Sequence, residues 1–260
     1  MSERQEGEVH EVPIVAYLDA PIEPYDLHEE IWSAVSLVEN HTMVTRHRLA
    51  ATYQIAVFAE QHGLRGSFVE CGTWKGGASG LLALANLRHG SSRRNLHLFD
   101  SFTEMCLPDE SIDGDLAIQQ ARGMGGVIGP LDGSLTPMHG FYDTLGGHAT
   151  VGDVSSLLID TLNYEPEFLS IHEGWFEETI PAQLKSIGPI AVLRLDADFY
   201  RGTRFCLEML FDQVVAGGFV IIDDYGCYSG CKRAVDEFLS LQDSPRFLNH
   251  IDAEGRYFIK

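Results

Sequence analysis

Acidic side chains follow two apolar runs that have the composition of buried β-strands. Asp196 ends the first run, and Asp223 and Asp224 end the second. The carboxyl ends of parallel strands meet at one edge of a sheet, so these three side chains are expected to project into one crevice. Neighbouring carboxylates repel one another unless a cation neutralises them, and an all-oxygen set favours Mg²⁺, Ca²⁺ or Mn²⁺ over Zn²⁺. The sequence therefore predicts a divalent-cation site, with Mg²⁺ as the first candidate.

A glycine-rich loop follows the first predicted strand and carries Gly72, Gly76 and Gly77. The next predicted strand ends at Asp100, a position from which a carboxylate accepts hydrogen bonds from ribose hydroxyls in nucleotide-binding folds. Asp100 and Glu70 place two carboxylates beside this loop, and no fixed basic cradle accompanies them. Such a site favours a sulfonium-bearing nucleoside, S-adenosylmethionine, over a diphosphate. The alternative without a ligand is a tight turn with Asp100 as a helix cap.

Five apolar runs alternate with segments of helical length, which indicates a doubly wound α/β sheet covered on both faces. These predicted strands cover residues 67–72, 95–100, 168–172, 190–196 and 218–223. Two helical segments precede them between residues 27 and 60, and a hairpin pattern follows over residues 247–251 and 256–259. A mostly parallel, seven-stranded sheet closed by an antiparallel C-terminal hairpin is typical of class I methyltransferases, which have a Rossmann-like fold.

Two regions stand outside this alternation. Residues 1–24 are predicted to form an extended arm, and residues 1–64, arm and helices together, are expected to pack on the core and on a partner subunit of a homo-oligomer, a dimer or higher. Residues 65–260 then form the cofactor-binding catalytic domain. Within it, residues 101–150 are rich in glycine and lack a strong period, so we predict a lid or a substrate wall there.

The charge of the chain restricts its partners. Thirty-eight acidic residues against 18 basic ones give a net charge of −20, and this field repels nucleic-acid phosphates and anionic membrane surfaces. Neither a nucleic acid nor a membrane is therefore predicted as a partner. Five cysteines, an odd number, together with a polar and acidic N-terminus that lacks signal-peptide features, favour the reducing cytoplasm.

Several stretches of the chain resemble the macrocin O-methyltransferase family of actinomycete natural-product biosynthesis. They lie in the family's order at residues 42–44, 48–49, 69–77, 99–102, 174–179, 193–200, 217–225 and 230–232. Members of the family are metal-dependent sugar O-methyltransferases that use S-adenosylmethionine. The resemblance implies that this chain methylates a sugar hydroxyl of a glycosylated antibiotic or other secondary metabolite.

The resemblance also implies roles for individual residues. Cofactor contacts would come from Glu70, Gly72, Thr73, Trp74, Asp100, Ser101, Phe102, Gly174 and Trp175. Within this set Asp100 would hold the ribose, while Gly174 and Trp175 would border the adenine. Asp196, Asp223 and Asp224 match the metal ligands of the family.

Three departures from the family pattern border the acceptor side. Lys75 stands where arginine is usual, residues 103–108 replace a shorter stretch, and Arg201 with Gly202 replaces the usual Glu-Ser. The substrate is therefore expected to differ more than the reaction.

The sequence leaves several alternatives open. The hydroxyl proton of the acceptor has three candidate catalytic bases: Asp196, which would also touch the metal, and His139 and His148, whose side chains have a suitable ordinary pKa. Asp198 either joins the cation site, or it caps a helix or pairs with a nearby arginine. Because Asp196 and Asp198 form an Asp-x-Asp triplet, a metal-dependent glycosyltransferase is a competing prediction, and a non-catalytic nucleotide-fold binding module is another.

Overall fold

The computed structural model describes residues 28–260, which form one seven-stranded sheet with helices on both faces. The strands are β1 (Ser67–Cys71), β2 (Leu96–Asp100), β3 (Leu169–Glu173), β4 (Ile190–Leu195), β5 (Val214–Ile222), β6 (Asn249–His250) and β7 (Arg256–Ile259). Their order across the sheet is β3-β2-β1-β4-β5-β7-β6. Strands β1 to β5 are parallel, and β7 runs antiparallel between β5 and β6. The predicted mostly parallel sheet with a C-terminal hairpin is confirmed.

Helices cover both faces of the sheet. They are α1 (His28–Val38), α2 (Arg46–Gln61), α3 (Gly77–His89), α4 (Asp115–Gly123), α5 (Val151–Ser155), α6 (Phe176–Ile187), α7 (Tyr200–Leu210) and α8 (Ser229–Ser240). A π-helical turn, Ser156–Thr161, extends α5. The two predicted N-terminal helices are α1 and α2, whereas the predicted arm over residues 1–24 lies outside the described residues. None of the helices between residues 28 and 260 is both long and apolar enough to cross a membrane.

The core consists of two apolar layers, one on each face of the sheet. Leu96 and Leu98 of β2 pack in the layer that includes α1, α2 and α3, and their neighbour Phe99 packs in the layer with α6, α7 and α8. Successive side chains of a strand point to opposite faces. Because helices cover both faces of this sheet, both sets of side chains are buried. This explains why the central strands are continuous apolar runs, and it leaves the strand ends as the place for polar chemistry.

Strand order places a crevice at the carboxyl end of β1. This strand lies between β2 and β4. Strands β2 and β3 are added on one side of it, and β4 and β5 are added on the other. Ligands of open α/β sheets bind at such a switch point, outside the carboxyl ends of the strands. The predicted loop after β1 and the acids after β4 and β5 all lie at this edge.

Residues 101–150 contain more regular structure than the sequence indicated. They include α4, a 3₁₀ turn Asp143–Leu145, and two isolated β-bridges that join Cys106 to Pro137 and Asp109 to Asp132. The buried Asp113 carboxylate fastens this region to the core, because it accepts hydrogen bonds from the Tyr200 amide at the start of α7 and from the Asp109 amide, both at 2.7 Å.

An ionic contact joins α2 to the C-terminal hairpin. Thr45 caps α2 by accepting a hydrogen bond from the Arg48 amide, and its hydroxyl donates to Asp252 at 2.6 Å. The Nε atom of Arg48 lies 3.2 Å from Asp252 Oδ2. Partial burial acts to raise the pKa of Asp252, but hydrogen bonds from Thr45, Gly255 and Glu254 and the charge of Arg48 outweigh it and lower the pKa to about 2.

This contact predicts a pH-dependent share of stability. Because the folded protein lowers the pKa of Asp252 from 3.8 to about 2, the stabilisation is complete above about pH 4 and is lost as the pH falls towards 2. We expect Asp252→Asn to lower the free energy of unfolding at pH 7 by about 1 kcal/mol, since solvent screens part of the interaction. Urea unfolding at pH 7 and pH 3 measures the difference, which should shrink at the lower pH. The exposed Asp243→Asn serves as the control, and an equal loss in both variants would contradict the assignment.

Candidate active site

The loop after β1 lies against the end of β4. The Gly72 amide donates to the Phe99 carbonyl at 2.8 Å, and the Asp196 amide donates to the Cys71 carbonyl at 2.8 Å. Gly72 has a φ of +87°, and a Cβ atom at this position would lie 1.8 Å from the carbonyl oxygen of Asp196. Only glycine fits here, because any side chain would collide with the backbone that carries Asp196.

Asp100 holds the glycine-rich loop in place. Its Oδ2 atom accepts hydrogen bonds from the amides of Thr73 at 2.7 Å and Trp74 at 2.8 Å, and its Oδ1 atom accepts one from the Phe102 amide at 2.8 Å. Burial raises the pKa of Asp100, and these three amides counteract that shift. The Oδ1 atom accepts only one of these bonds and retains a second lone pair, so the predicted ribose contact remains compatible with this arrangement.

Arg194 joins the ends of three strands through a buried guanidinium. Its Nη1 atom lies 2.8 Å from Glu70 Oε1 and 2.9 Å from Asp196 Oδ2, and its Nη2 atom bonds Asp223 Oδ1. The Arg194 and Glu70 side chains are each 1% exposed. Burial raises the pKa of Glu70 to about 7, although Arg194 and the Ser79 hydroxyl favour its charged form. Glu70 therefore orients Arg194 and reaches only the smaller of the two cavities described below.

A compact carboxylate cluster occupies the crevice. Asp196, Asp198 and Asp224 each offer one oxygen, and these three oxygens lie within 4.8 Å of one another. Asp198 reaches the cluster because it adopts a left-handed backbone conformation, φ +56°, three residues after the end of β4. Burial raises the pKa values of Asp198 and Asp224 well above the ordinary value, and repulsion from a neighbouring carboxylate adds to each shift, chiefly from Asp196 for Asp198 and from Asp198 for Asp224.

Asp223, one of the predicted metal ligands, lies in contact with two arginines. One of its oxygens bonds Arg194 and the other bonds Arg48, which reaches the site from α2. Both oxygens are therefore occupied by guanidinium groups, and the side chain is only 3% exposed. The carboxylate oxygens that lie together belong to Asp196, Asp198 and Asp224, whereas the predicted metal ligands are Asp196, Asp223 and Asp224.

The acids of this site outnumber its cations. Two guanidinium groups, of Arg48 and Arg194, face five carboxylates, which belong to Glu70, Asp196, Asp198, Asp223 and Asp224. The described residues make no ion pair to Asp198 or Asp224. The arrangement suits a bound cation, because uncompensated carboxylates at short distance repel one another.

Two adjoining cavities open over the crevice, with volumes of about 430 Å³ and 160 Å³. Both are lined by Gly72, Trp74, Asp196 and Asp198. Among the predicted cofactor residues, Asp100, Ser101 and Trp175 line only the larger cavity, and Glu70 and Thr73 line only the smaller one.

Four predicted residues lie outside both linings. Phe102 is buried, and the Gly174 amide donates to the Asp100 carbonyl at 2.9 Å. Both residues therefore support the site without lining a cavity. His139 and His148 are exposed and line neither cavity. The structure therefore does not bring either histidine to the crevice as a base.

Polar atoms of the glycine-rich loop are left without partners. The Trp74 indole nitrogen and the Thr73 hydroxyl are buried and make no hydrogen bond in the described part of the chain. Buried polar atoms are normally satisfied, so this loop is suited to a polar ligand. Arg194 was among the arginines considered as partners of the acids, and its position two residues before Asp196 favours that pairing. The contribution of Arg48 from α2 was not predicted, because no local pattern connects it to Asp223.

Comparison with known proteins identifies the family of the chain. The family model for macrocin-O-methyltransferase (TylF) matches residues 34–125 and 159–260. The chain belongs to this family. It is accordingly an S-adenosylmethionine-dependent O-methyltransferase, and the alternatives of a glycosyltransferase and a non-catalytic binding module are not supported.

Several proteins similar to this chain are named as O-methyltransferases. Demethyldecarbamoylnovobiocin O-methyltransferase of Streptomyces niveus is 30% identical over 218 residues, 84% of this chain and 75% of that protein. The 8-demethyl-8-(2,3-dimethoxy-alpha-L-rhamnosyl)-tetracenomycin-C 4'-O-methyltransferase of Streptomyces olivaceus is 29% identical over 255 residues, 93% of this chain and 86% of that protein. The structure of the O-methyltransferase NovP superposes with a TM-score of 0.67 at 29% identity, over 85% of this chain and 82% of that one.

The contact at Gly72 predicts a selective loss of cofactor binding. We expect Gly72→Ala to weaken S-adenosylmethionine binding at least tenfold, because the added methyl group displaces the loop or the Asp196 backbone. Gly63→Ala is the matched control: Gly63 also has a positive φ, +64°, but no atom lies within 4 Å of its added Cβ. Calorimetric titration measures both affinities. Wild-type affinity in Gly72→Ala would refute the close approach.

Proposed function

We propose that this O-methyltransferase transfers the methyl group of S-adenosylmethionine to a sugar hydroxyl of a glycosylated natural product, with a divalent cation as cofactor. The names of two relatives support the acceptor class, because they specify a dimethoxy-rhamnosyl-tetracenomycin and demethyldecarbamoylnovobiocin. The observation that carries the proposal is the carboxylate cluster of Asp196, Asp198 and Asp224 beside the glycine-rich loop. A cytoplasmic location and a homo-oligomeric state stay predictions from the sequence.

The residues around the larger cavity fit the cofactor. Trp74 and Asp100 border it from the β1 and β2 ends, and Trp175 borders it from the β3 end. We assign the ribose to Asp100 and Ser101, and the adenine to Trp175. S-adenosylmethionine supplies the methyl group from its sulfonium, a cation that the surrounding carboxylates favour.

The carboxylate cluster fits a divalent cation. Its donors are all oxygens, which Mg²⁺ prefers, and the described arginines leave Asp198 and Asp224 unpaired. We assign one oxygen each of Asp196, Asp198 and Asp224 to the ion. Such an ion supplies Lewis acidity that favours ionisation of an acceptor hydroxyl.

Asp198 is the proposed acceptor of the hydroxyl proton. One oxygen of Asp196 already accepts a hydrogen bond from Arg194 at 2.9 Å, and its other oxygen is the one assigned to the ion. No described side chain donates a hydrogen bond to the carboxylate of Asp198, which lines both cavities. Its second oxygen is therefore available to receive the proton as the methyl group is transferred. The main contribution of the other residues is to hold acceptor and donor in line.

Substitutions in the cluster test this assignment. We expect Asp198→Asn and Asp224→Asn each to reduce kcat at least 100-fold, because the first removes the base and both weaken cation binding. Affinity for S-adenosylmethionine should change less than about threefold, since neither side chain forms the glycine-rich loop. Asp243→Asn, exposed and remote from the site, is the control. Full activity of either cluster variant would contradict the proposed role.

Removal of the metal provides a second test. Enzyme treated with a chelator and then desalted should lose nearly all methyl transfer and recover it on addition of Mg²⁺. The assay incubates labelled S-adenosylmethionine with a panel of glycosylated metabolites and detects the added methyl group by mass. Undiminished transfer after chelation, with no metal found by elemental analysis, would exclude the metal while leaving methyl transfer intact.

A further inference from the structure

Two of the clustered acids lie on short turns that lead directly into helices. Asp198 precedes Tyr200, the first residue of α7, by two residues, and Asp224 precedes Ser229, the first residue of α8, by five. The amide of Asp198 donates to Asp224 Oδ2 at 3.3 Å, and the Asp224 carbonyl accepts a hydrogen bond from the Tyr228 amide at 3.1 Å. The positions of Asp198 and Asp224 therefore depend on where α7 and α8 begin.

The N-termini of both helices contact the carboxylate of Asp113, which lies just before α4. This side chain is buried, and its Oδ1 atom accepts a hydrogen bond from the Tyr200 amide at 2.7 Å. On the side of α8, a Cβ atom added to Gly230 would lie 1.8 Å from the same Oδ1 atom and 2.9 Å from the Tyr200 amide nitrogen. Asp113 is thus packed between the first turns of α7 and α8.

The charge of Asp113 compensates for missing side-chain caps on these two helices. Phe199 and Tyr228 hold the N-cap positions of α7 and α8, and within residues 28–260 neither side chain caps its helix. Unpaired amides give each helix N-terminus a partial positive charge, so two such ends side by side repel one another. A carboxylate between them offsets this repulsion. The Oδ2 atom of Asp113 accepts a hydrogen bond from the Asp109 amide at 2.7 Å, which fixes the orientation of the carboxylate.

We propose that Asp113 is a positioning residue for the divalent cation: it holds the first turns of α7 and α8 together and so sets the distance between the carboxylates of Asp198 and Asp224. The inference rests on the proposed cation cofactor. Asp113 lines neither cavity, and it therefore acts through the two helix ends. Cation affinity depends on the groups that orient the ligands, so loss of Asp113 weakens binding of the ion and leaves the glycine-rich loop unaffected.

Binding of Mn²⁺ alone to the metal-free enzyme tests the inference. Electron paramagnetic resonance of free Mn²⁺ measures this affinity, and calorimetry measures the affinity of the same samples for S-adenosylhomocysteine. We expect Asp113→Ala to weaken Mn²⁺ binding about tenfold and to change S-adenosylhomocysteine binding less than about twofold. Asp113→Asn keeps an acceptor for the Tyr200 amide and loses the charge, so its effect should be smaller. Asp115→Asn is the matched control, because Asp115 is exposed and only two residues away.

A second variant displaces the Asp113 carboxylate without removing it. Gly230→Ala places a methyl group against Asp113 Oδ1, whereas the Cβ atom of Gly123→Ala, also in a helix, meets no neighbouring atom within 4 Å in the described part of the chain. We expect Gly230→Ala to weaken Mn²⁺ binding to the same extent as Asp113→Ala, and Gly123→Ala to leave it unchanged. Should Asp113→Ala fail to fold, Asp113→Asn and Gly230→Ala decide the question.

The outcomes separate this inference from the proposed function. Wild-type Mn²⁺ affinity in the Asp113 and Gly230 variants would overturn the positioning role and leave the cation cofactor standing. Parallel losses of Mn²⁺ and S-adenosylhomocysteine affinity would also overturn the positioning role, since a general loosening of the fold affects both ligands. If the wild-type enzyme binds no Mn²⁺, the proposed cation cofactor is wrong, and the positioning role with it.

Discussion

The buried guanidinium of Arg194 is the interaction on which the site depends. It extends from β4, pairs with Glu70 of β1, and reaches Asp196 and Asp223 beyond the ends of β4 and β5. Three strand ends that carry like charges are thereby held together at one edge of the sheet. Loss of the arginine would leave buried carboxylates without a counter-charge, a defect that costs about 3 to 5 kcal/mol in proteins. In the native protein, these groups are buried away from water, and this burial strengthens the charge interactions in the crevice.

The same network connects the site to the periphery of the fold. Arg48 of α2 bonds Asp223 on one side and Asp252 and Glu254 of the hairpin on the other. Helix α2 and the turn between the last two strands therefore position an acid at the carboxyl end of β5. Asp223, with both oxygens taken, acts as a link in this chain of ion pairs, and the acids that it supports remain open to a ligand. The loop after β1 also contacts the region that follows β2, because the Lys75 ammonium donates to the Gly146 carbonyl at 2.8 Å.

Much of the fold was predictable because its signals are local. Buried parallel strands are short apolar runs, and the runs that end at Cys71, Asp100 and Leu195 were found within one residue. The family resemblance, carried by motifs at strand ends, led to the correct reaction. The start of β5 was missed by four residues, since Gly217 and Gly218 resemble a turn although the strand begins at Val214. Helix α4 was missed because nine residues are too few for a clear period.

The sequence by itself determined the sheet, the glycine-rich loop and the presence of acids at the carboxyl ends of β4 and β5, because strand periodicity and strand order follow from local composition. Only the tertiary structure decided which acids meet. Asp198 lies beyond the end of β4, where sheet alternation no longer fixes direction, and its positive φ turns it into the crevice. Both carboxylate oxygens of Asp223 are bonded to arginines, and one of these, Arg48, is 175 residues away in the chain. Ion pairs between residues so distant in sequence depend on packing, and local patterns carry no information about them.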